Sequence, residues 1–221
     1  VGIITTEGFR DILEIAYERR YNEYDIFLDK PDMLVPRERC LTIAERMNAA
    51  GEVLTELDEG AIDGLLASFD RYGVQSIAVC LLHAYANPAH ERRLAELIAH
   101  KRPGLFVSLS SEVSPEAREY DRLCTTVANA YIRPLMETYL LRLAAALTAG
   151  DFDCPLYIIT SGGGMTTLET AIRFPIRLVE SGPSGGAILA ARVAMQCGLE
   201  EVVSFDMGGT TAKLCLIDGG E

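Results

Sequence analysis

Short continuous apolar runs alternate along this chain with longer stretches in which apolar residues recur every three or four positions. That is the pattern of strands alternating with helices. Val1-Gly2-Ile3-Ile4-Thr5-Thr6 reads as a buried strand. A helix is expected from about Phe9 to Arg20, with Ile12, Leu13, Ile15 and Ala16 on its apolar face. Loop punctuation follows at Asp29 to Asp32 and at Val35-Pro36-Arg37. Cys40 to Met47 fits a strand, with Asn48 to Glu52 as a turn and Val53-Leu54-Thr55 as its partner. Asp58 or Glu59 opens a helix through Leu65, Leu66 and Phe69 to Arg71, and Gly73 stops it. Ser76 to Leu82 is apolar throughout its middle, which suits a central parallel strand covered on both faces. Asn87 caps a helix with Pro88 at its first position, running to about His100, and Leu105 to Leu109 is the next strand. This β-α-β-α-β order predicts a parallel sheet.

Ser114-Pro115-Glu116 has the cap, proline and acid of a helix start. The helix runs on through Tyr120, Leu123, Val127 and Tyr131, and Pro134 is expected to kink or divide it. Its second part spans Leu135 to Leu147 and Gly150 ends it. Leu156 to Thr160 is a strand, followed by Ser161-Gly162-Gly163-Gly164, and Thr166 with Glu169 forms a capping box for another helix. Ile176 to Glu180 reads as a strand, and Ser181-Gly182-Pro183-Ser184-Gly185-Gly186 leads into a helix from Ala187 to Cys197. Val202 to Phe205 and Leu214 to Ile217 are the arms of a hairpin whose turn holds Gly208-Gly209, glycines free to take positive φ.

Three Gly-rich connections thus follow three successive strands: Ser161 to Gly164, Ser181 to Gly186, and Met207 to Thr211. In an open α/β sheet the carboxyl ends of the strands gather at one crevice, and helix N-termini there favour anions. Glycines at such places also serve close helix–strand packing, so the loops by themselves leave both explanations open. The last connection carries more chemistry. Asp206 ends an expected strand, and a carboxylate at a strand end can hold Mg²⁺, usually through water. Gly208 and Gly209 offer bare N–H groups, Thr210 and Thr211 add hydroxyl donors, and Lys213 adds charge. The spacing is neither that of the Gly-x-x-x-x-Gly-Lys loop nor that of Gly-x-Gly-x-x-Gly.

The chain has 221 residues, enough for one large or two small cores, and carries 20 basic against 32 acidic side chains, a net charge of -12. A surface of that sign excludes nucleic-acid and anionic-membrane binding as leading functions. No apolar run is long enough to span a bilayer, and no signal-peptide pattern is read in these residues. The six cysteines form no Cys-x-x-Cys pair and sit mostly in apolar runs, which reads as reduced, buried thiols in the cytoplasm. Val1 already lies in a strand-like run, so both ends read as cuts within a longer protein. Composition shifts near Val113 from a charged first half to a Gly-rich second half.

Gly182-Pro183-Ser184-Gly185-Gly186 fits Gly-x-Ser-x-Gly, the nucleophile elbow of a serine hydrolase. Yet His83, His90 and His100 all precede Ser184, the wrong chain order for that triad. His83 and His90 have no third ligand at a metal-site spacing, so a structural or solvent role is expected for each. Glu116, Arg118, Glu119, Asp121 and Arg122 read as a solvated face with i,i+3 and i,i+4 pairs.

Several segments, in order along essentially the whole chain, resemble the hydantoinase A / 5-oxoprolinase family. They are Ile4 to Asp11, Leu81 to Glu91, Glu112 to Tyr120, Ser161 to Gly164, Ser181 to Gly186 and Phe205 to Thr211. Gly162 stands where the family usually has Asn, and Ser184 where it usually has Ala. The resemblance implies an α/β, actin-like ATPase (ribonuclease H-like) fold, present in part, with parallel βαβ units and a phosphate-binding β-hairpin at the C-terminal end. It implies that residues 1–122 finish an N-terminal domain and that residues 123–221 begin the hydantoinase A/oxoprolinase domain. It implies an ATP-dependent cyclic-amide hydrolase in which ATP activates the substrate carbonyl. The alternatives are the ATP-using subunit of an acetone- or acetophenone-type carboxylase and a non-catalytic actin-like interaction module.

The implied cofactors are ATP and Mg²⁺. Asp206 would carry the metal, and Gly208, Gly209, Thr210, Thr211 and Lys213 would hold the phosphates. Gly162, Gly163, Gly164, Ser181, Gly182, Gly185 and Gly186 would line the cleft. The expected partners are a small cyclic amide, a second subunit of the hydantoinase B type, and further copies of the chain. The chain alone, holding about one face of a nucleotide cleft, is expected to bind ATP weakly and to lack turnover.

Overall fold

Ile3 and Ile4 are neighbours in sequence, and each is only 1% exposed, so the first strand is covered on both faces. The computed structural model describes residues 1–17, 24–27 and 32–220 and divides into two units, Val1–Leu135 and Met136–Glu221. In the first, β1 (Gly2–Thr6), β2 (Cys40–Ile43), β5 (Ser76–Cys80) and β6 (Phe106–Leu109) form a parallel sheet in the order β2-β1-β5-β6. Between β2 and β5, the short strands β3 (Arg46–Met47) and β4 (Val53–Thr55) pair antiparallel outside the sheet. The run expected as one strand from Cys40 to Met47 is therefore two, with β2 in the sheet and only Arg46–Met47 meeting the expected partner.

Alternate residues of the strands feed two cores. Ile4, Ile43, Ile77 and Val79 pack with Leu66 and Phe69 of α2 (Ile62–Arg71) and with Leu94 and Ile98 of α3 (Ala89–Lys101). Ile3, Ala78 and Cys80 pack on the other face with Leu13 of α1 (Ile12–Ile15) and with Leu123, Val127 and Ala130 of α5 (Glu119–Ala149). Each large aliphatic or aromatic side chain buried this way contributes on the order of 2 kcal/mol. Gly2 is demanded by this packing, because a Cβ there would lie 2.3 Å from the Phe69 ring. Asp58 accepts from Gly60 N to start the turn that leads into α2, as the sequence indicated, whereas α3 starts one residue later than expected: Pro88 is its N-cap and not its first residue, and Asn87, just before it, accepts from Ala89 N.

Four expectations about the helices need correction. Only Ile12–Ile15 of the expected Phe9 to Arg20 helix is helical, and residues 18–20 lie outside the described set, as do residues 29–31 of the expected loop. Ser114 does not open a helix. It closes the short α4 (Ser110–Val113), and α5 begins at Glu119. Pro134 does not divide α5, which continues through it and loses one backbone donor there. Arg122 is not on a solvated face. It is 1% exposed, its Nε donates to Ser110 Oγ at 3.1 Å, and its Nη2 donates to the Leu81 carbonyl at 3.2 Å.

The second unit begins within α5 and continues as β7 (Tyr157–Ile159), β8 (Met165–Thr167), α6 (Leu168–Arg173), α7 (Ser181–Gln196), β9 (Glu201–Met207) and β10 (Ala212–Asp218). β7 pairs antiparallel with β8, and β9 with β10. Thr167, not Thr166, caps α6, accepting from Thr170 N. The stretch expected as a strand from Ile176 is a 3-10 turn, Pro175–Leu178. Proline fixes φ and lacks a ladder donor, so it suits the start of a helical turn and not a central strand. Three of the six cysteines are exposed (Cys154, Cys197 and Cys215), against the expectation of buried thiols, while Cys40 and Cys80 are buried. Among the described residues no helix is long and apolar enough to cross a membrane.

Candidate functional site

All three Gly-bearing segments belong to the second unit, and specific contacts gather them. The first is a tight turn between β7 and β8. Thr160 N donates to the Gly164 carbonyl at 2.8 Å, Gly163 N donates to the Thr160 carbonyl at 3.0 Å, and Gly163 has φ +82°. So Ser161 to Gly164 leads into a strand and not, as expected, into a helix. Ser161 N donates at 2.7 Å to the carbonyl of Arg177, in the 3-10 turn, and Ser161 Oγ donates to the same oxygen.

Nor is the second segment a loop. Ser181, Gly182, Pro183, Ser184, Gly185 and Gly186 form the first turns of α7. Its N-cap, Glu180, has a left-handed backbone, φ +65°, with no side-chain cap. Such strain in a non-glycine residue is held by its surroundings. Gly185 packs beneath Ile159 of β7, since a Cβ there would lie 3.2 Å from Ile159 Cδ1. Ser184 Oγ donates to the Ser161 carbonyl at 2.6 Å. The nucleophile-elbow reading of Ser184 ends here: the serine lies inside a helix, follows no strand, and donates to a backbone oxygen.

The third segment is the turn of the β9–β10 hairpin. Met207 pairs with Ala212, leaving Gly208-Gly209-Thr210-Thr211 as the connection, closed by Gly208 N donating to the Thr211 carbonyl at 3.1 Å. Asp206 lies directly opposite Lys213 in the ladder, so both side chains leave the same face. Lys213 Nζ pairs with Glu180, which ties β10 to the start of α7. The sequence singled out Lys213 but not Glu180, whose only signal was its place just before the serine and glycines of α7.

Gly208 and Gly209 differ from the expectation in a way that bears on chemistry. Neither takes positive φ, and a Cβ built on either meets nothing within 4 Å. The turn would accept alanine at both, so neither the backbone nor local packing explains the glycines. The same holds for Gly162, Gly182 and Gly186, where a Cβ would also meet nothing, whereas Gly163 and Gly185 are packing glycines. The Gly208 N–H is taken by the Thr211 carbonyl, which leaves the Gly209 N–H and the hydroxyls of Thr210 and Thr211 as the turn's donors, of the kind an anion-binding concavity uses. Among the described residues no group of three or more His, Cys, Asp or Glu could hold a metal ion. A divalent cation at Asp206 would therefore complete its shell with water and ligand oxygens, as Mg²⁺ commonly does.

Residues 1–101 match the hydantoinase/oxoprolinase N-terminal region, and residues 122–221 match the hydantoinase/oxoprolinase family. Caprolactamase subunit alpha of Pseudomonas jessenii is 32% identical over 100% of this chain and 32% of its own length. The acetophenone carboxylase gamma subunit of Aromatoleum aromaticum is 29% identical over 98% of the chain and 31% of its own. The 5-oxoprolinase of Saccharomyces cerevisiae is 29% identical over 96% of the chain and 18% of its own. The crystal structure of ATP-dependent caprolactamase from Pseudomonas jessenii superposes with a TM-score of 0.85 at 32% identity, covering 97% of this chain and 31% of that one. The chain thus spans a third or less of the length of these relatives. With both family regions matched in order and a shared α/β fold, this chain belongs to the hydantoinase/oxoprolinase family.

Proposed function

We propose that the protein carrying this chain is an ATP-dependent hydrolase of cyclic amides, and that the β9–β10 turn is its phosphate site. The observation that carries this reading is the pair Gly208 and Gly209, which the turn itself does not require. The Gly209 N–H would donate to a phosphate oxygen, and the bare Cα atoms of both glycines would let the phosphate approach where any Cβ would intrude. Thr210 and Thr211 would add hydroxyl donors, and Asp206 would hold Mg²⁺ through water. Lys213, opposite Asp206, would lend positive charge while its pair with Glu180 holds the start of α7 beside the turn. Ser181, Gly182 and Gly186, with the Gly162 to Gly164 turn fastened by Ser184, would form the second wall. Bound ATP supplies a transferable phosphoryl group, which activates an amide carbonyl toward water.

The relatives named as an ATP-dependent caprolactamase and a 5-oxoprolinase support the substrate class. A second reading, the ATP-using subunit of a ketone carboxylase, is supported by the acetophenone carboxylase relative. In either case residues 1–122 would finish one domain of an actin-like fold and residues 123–221 begin the next. The protein would work in the cytoplasm with a hydantoinase B-type subunit. ATP hydrolysis by the full-length protein separates the readings. Stimulation by lactams or hydantoins supports the first, and stimulation only by ketone plus bicarbonate supports the second. Binding without stimulation by either supports a non-catalytic module.

A further inference from the structure

The parallel sheet of the first unit has its own crevice. The chain leaves β1 for β2 on one side and leaves β5 for β6 on the other, so the switch point lies between β1 and β5. Ligands of open α/β sheets bind outside the carboxyl ends of the strands at such a point. Here a cavity of about 570 Å³ opens there, lined by residues that follow the ends of β1 (Phe9), β2 (Arg46) and β5 (Leu82, His83) and by the start of α5 (Arg118, Tyr120). That volume suits a small molecule. Beneath it, Leu82 N donates to Thr6 Oγ1 at 3.0 Å, which locks the ends of β1 and β5 together.

The lining is an apolar wall with positive charge. Arg46 stacks on the Phe9 ring at 4.9 Å and meets no carboxylate among the described residues. In a chain of net charge -12, that leaves a guanidinium open to an anion. Arg37, Arg93 and Arg102, by contrast, are each paired with an acid. Arg118 is the second cation of the cleft, and Glu119 is its one acidic lining residue. His83 holds a left-handed backbone, φ +55°, with Nδ1 3.4 Å from the Tyr85 hydroxyl, which leaves Nε2 without a hydrogen-bond partner among the described residues. Strain of that kind in a non-glycine residue gathers at ligand sites.

We propose that this cleft binds a small organic carboxylate with an apolar ring, Arg46 taking the carboxylate and Phe9 and Leu82 the ring; in a protein that hydrolyses cyclic amides, on the reading above, it selects lactams that bear a carboxylate. Two cations against one acid favour a singly charged anion over a neutral amide. The stacked guanidinium is pre-oriented for bidentate contact.

Calorimetric titration of the full-length, nucleotide-free protein tests this with three probes. They are 5-oxoproline, 2-pyrrolidinone (the same ring without the carboxylate) and cyclopentanecarboxylate (the carboxylate without the lactam). The wild type should bind both acids at least tenfold more tightly than 2-pyrrolidinone. Arg46→Gln should erase that preference with an unchanged thermal midpoint, and Arg46→Lys should restore part of it. Equal affinity for all three probes, no binding of either acid, or an unaltered preference in Arg46→Gln would overturn the assignment. If cyclopentanecarboxylate binds through Arg46 and 5-oxoproline does not, the carboxylate site stands and the cyclic-amide reading fails.

Discussion

Ser184 Oγ donates to the Ser161 carbonyl at 2.6 Å and so fastens the first turns of α7 to the turn between β7 and β8. Together with the Lys213–Glu180 pair, this bond gathers three Gly-bearing segments that are scattered over the last third of the sequence. Ser184→Ala should cost about 1 kcal/mol, the usual worth of one such bond. The midpoint of urea unfolding reads it. A change of several kcal/mol would mean that the hydroxyl does more than tie the two turns.

Gly208→Ala and Gly209→Ala separate folding from binding. Neither site has positive φ and neither has a neighbour for the new methyl group. Stability should hold or rise by up to about 1 kcal/mol, since alanine has less freedom to lose in the unfolded chain. Affinity of the full-length protein for Mg·ATP should fall at least tenfold. Loss of stability with unchanged affinity would return these glycines to a purely structural role.

Glu91 gives the first unit a pH signature. It is fully buried and accepts from Leu81 N at 3.0 Å, Ser110 Oγ at 2.6 Å, Ser111 N at 2.9 Å and Ser111 Oγ at 2.7 Å. Burial pushes its carboxyl above the ordinary 4.5, and the four donors only partly offset this. The folded state therefore holds the proton more tightly than the unfolded state. As pH rises from 4.5 through the raised value, Glu91 should give up stability. Glu91→Gln turns an amide against donors, at a cost of about 1–3 kcal/mol. The gap between wild type and variant should be widest in acid and should narrow as pH rises. Unfolding curves across pH 4 to 8 check this, and a gap that widens with pH would contradict it.

Thiol chemistry should report the burial pattern. Burial pushes Cys40 up to about 11 and Cys80 well above its ordinary value. At pH 8 roughly a thousandth of Cys40 would be thiolate, so native labelling should run at least about a hundredfold slower than at an ordinary exposed thiol. In this chain Cys154, Cys197 and Cys215 should label first and Cys40 and Cys80 only on unfolding. Mass spectrometry of a timed labelling series checks the order.

The parts legible in the sequence were those where burial is two-sided or a cap is local. Ser76 to Leu82 could be read as a central strand because Ile77, Ala78 and Val79 are all fully buried, which removes alternation. Asp58 and Asn87 announced their helices through side chains that bond within two residues. Where long-range contacts decide, local signals misled. Three glycines and a proline within Ser181 to Gly186 read as a loop, since glycine disfavours helix by about 1 kcal/mol each. Packing of Gly185 under Ile159 and the Ser184 bond make that stretch helical.

Much the same holds for the site residues. Asp206, Gly208 and Gly209 stood out because they fall within four consecutive residues. Glu180 and the cleft residues Arg46, His83 and Arg118 come from separate elements, so no spacing links them. The one usable signal was topological: His83 follows a central strand, where the β-α-β order places a crevice.

Titration of Mg·ATP into the full-length protein, with Asp206→Ala beside it, tests the central claim most directly. Saturable binding by the wild type and at least a tenfold loss in the variant, at an unchanged thermal midpoint, is the predicted result. Equal affinity in both proteins would contradict it, and would mean that the turn between β9 and β10 is not the metal–phosphate site.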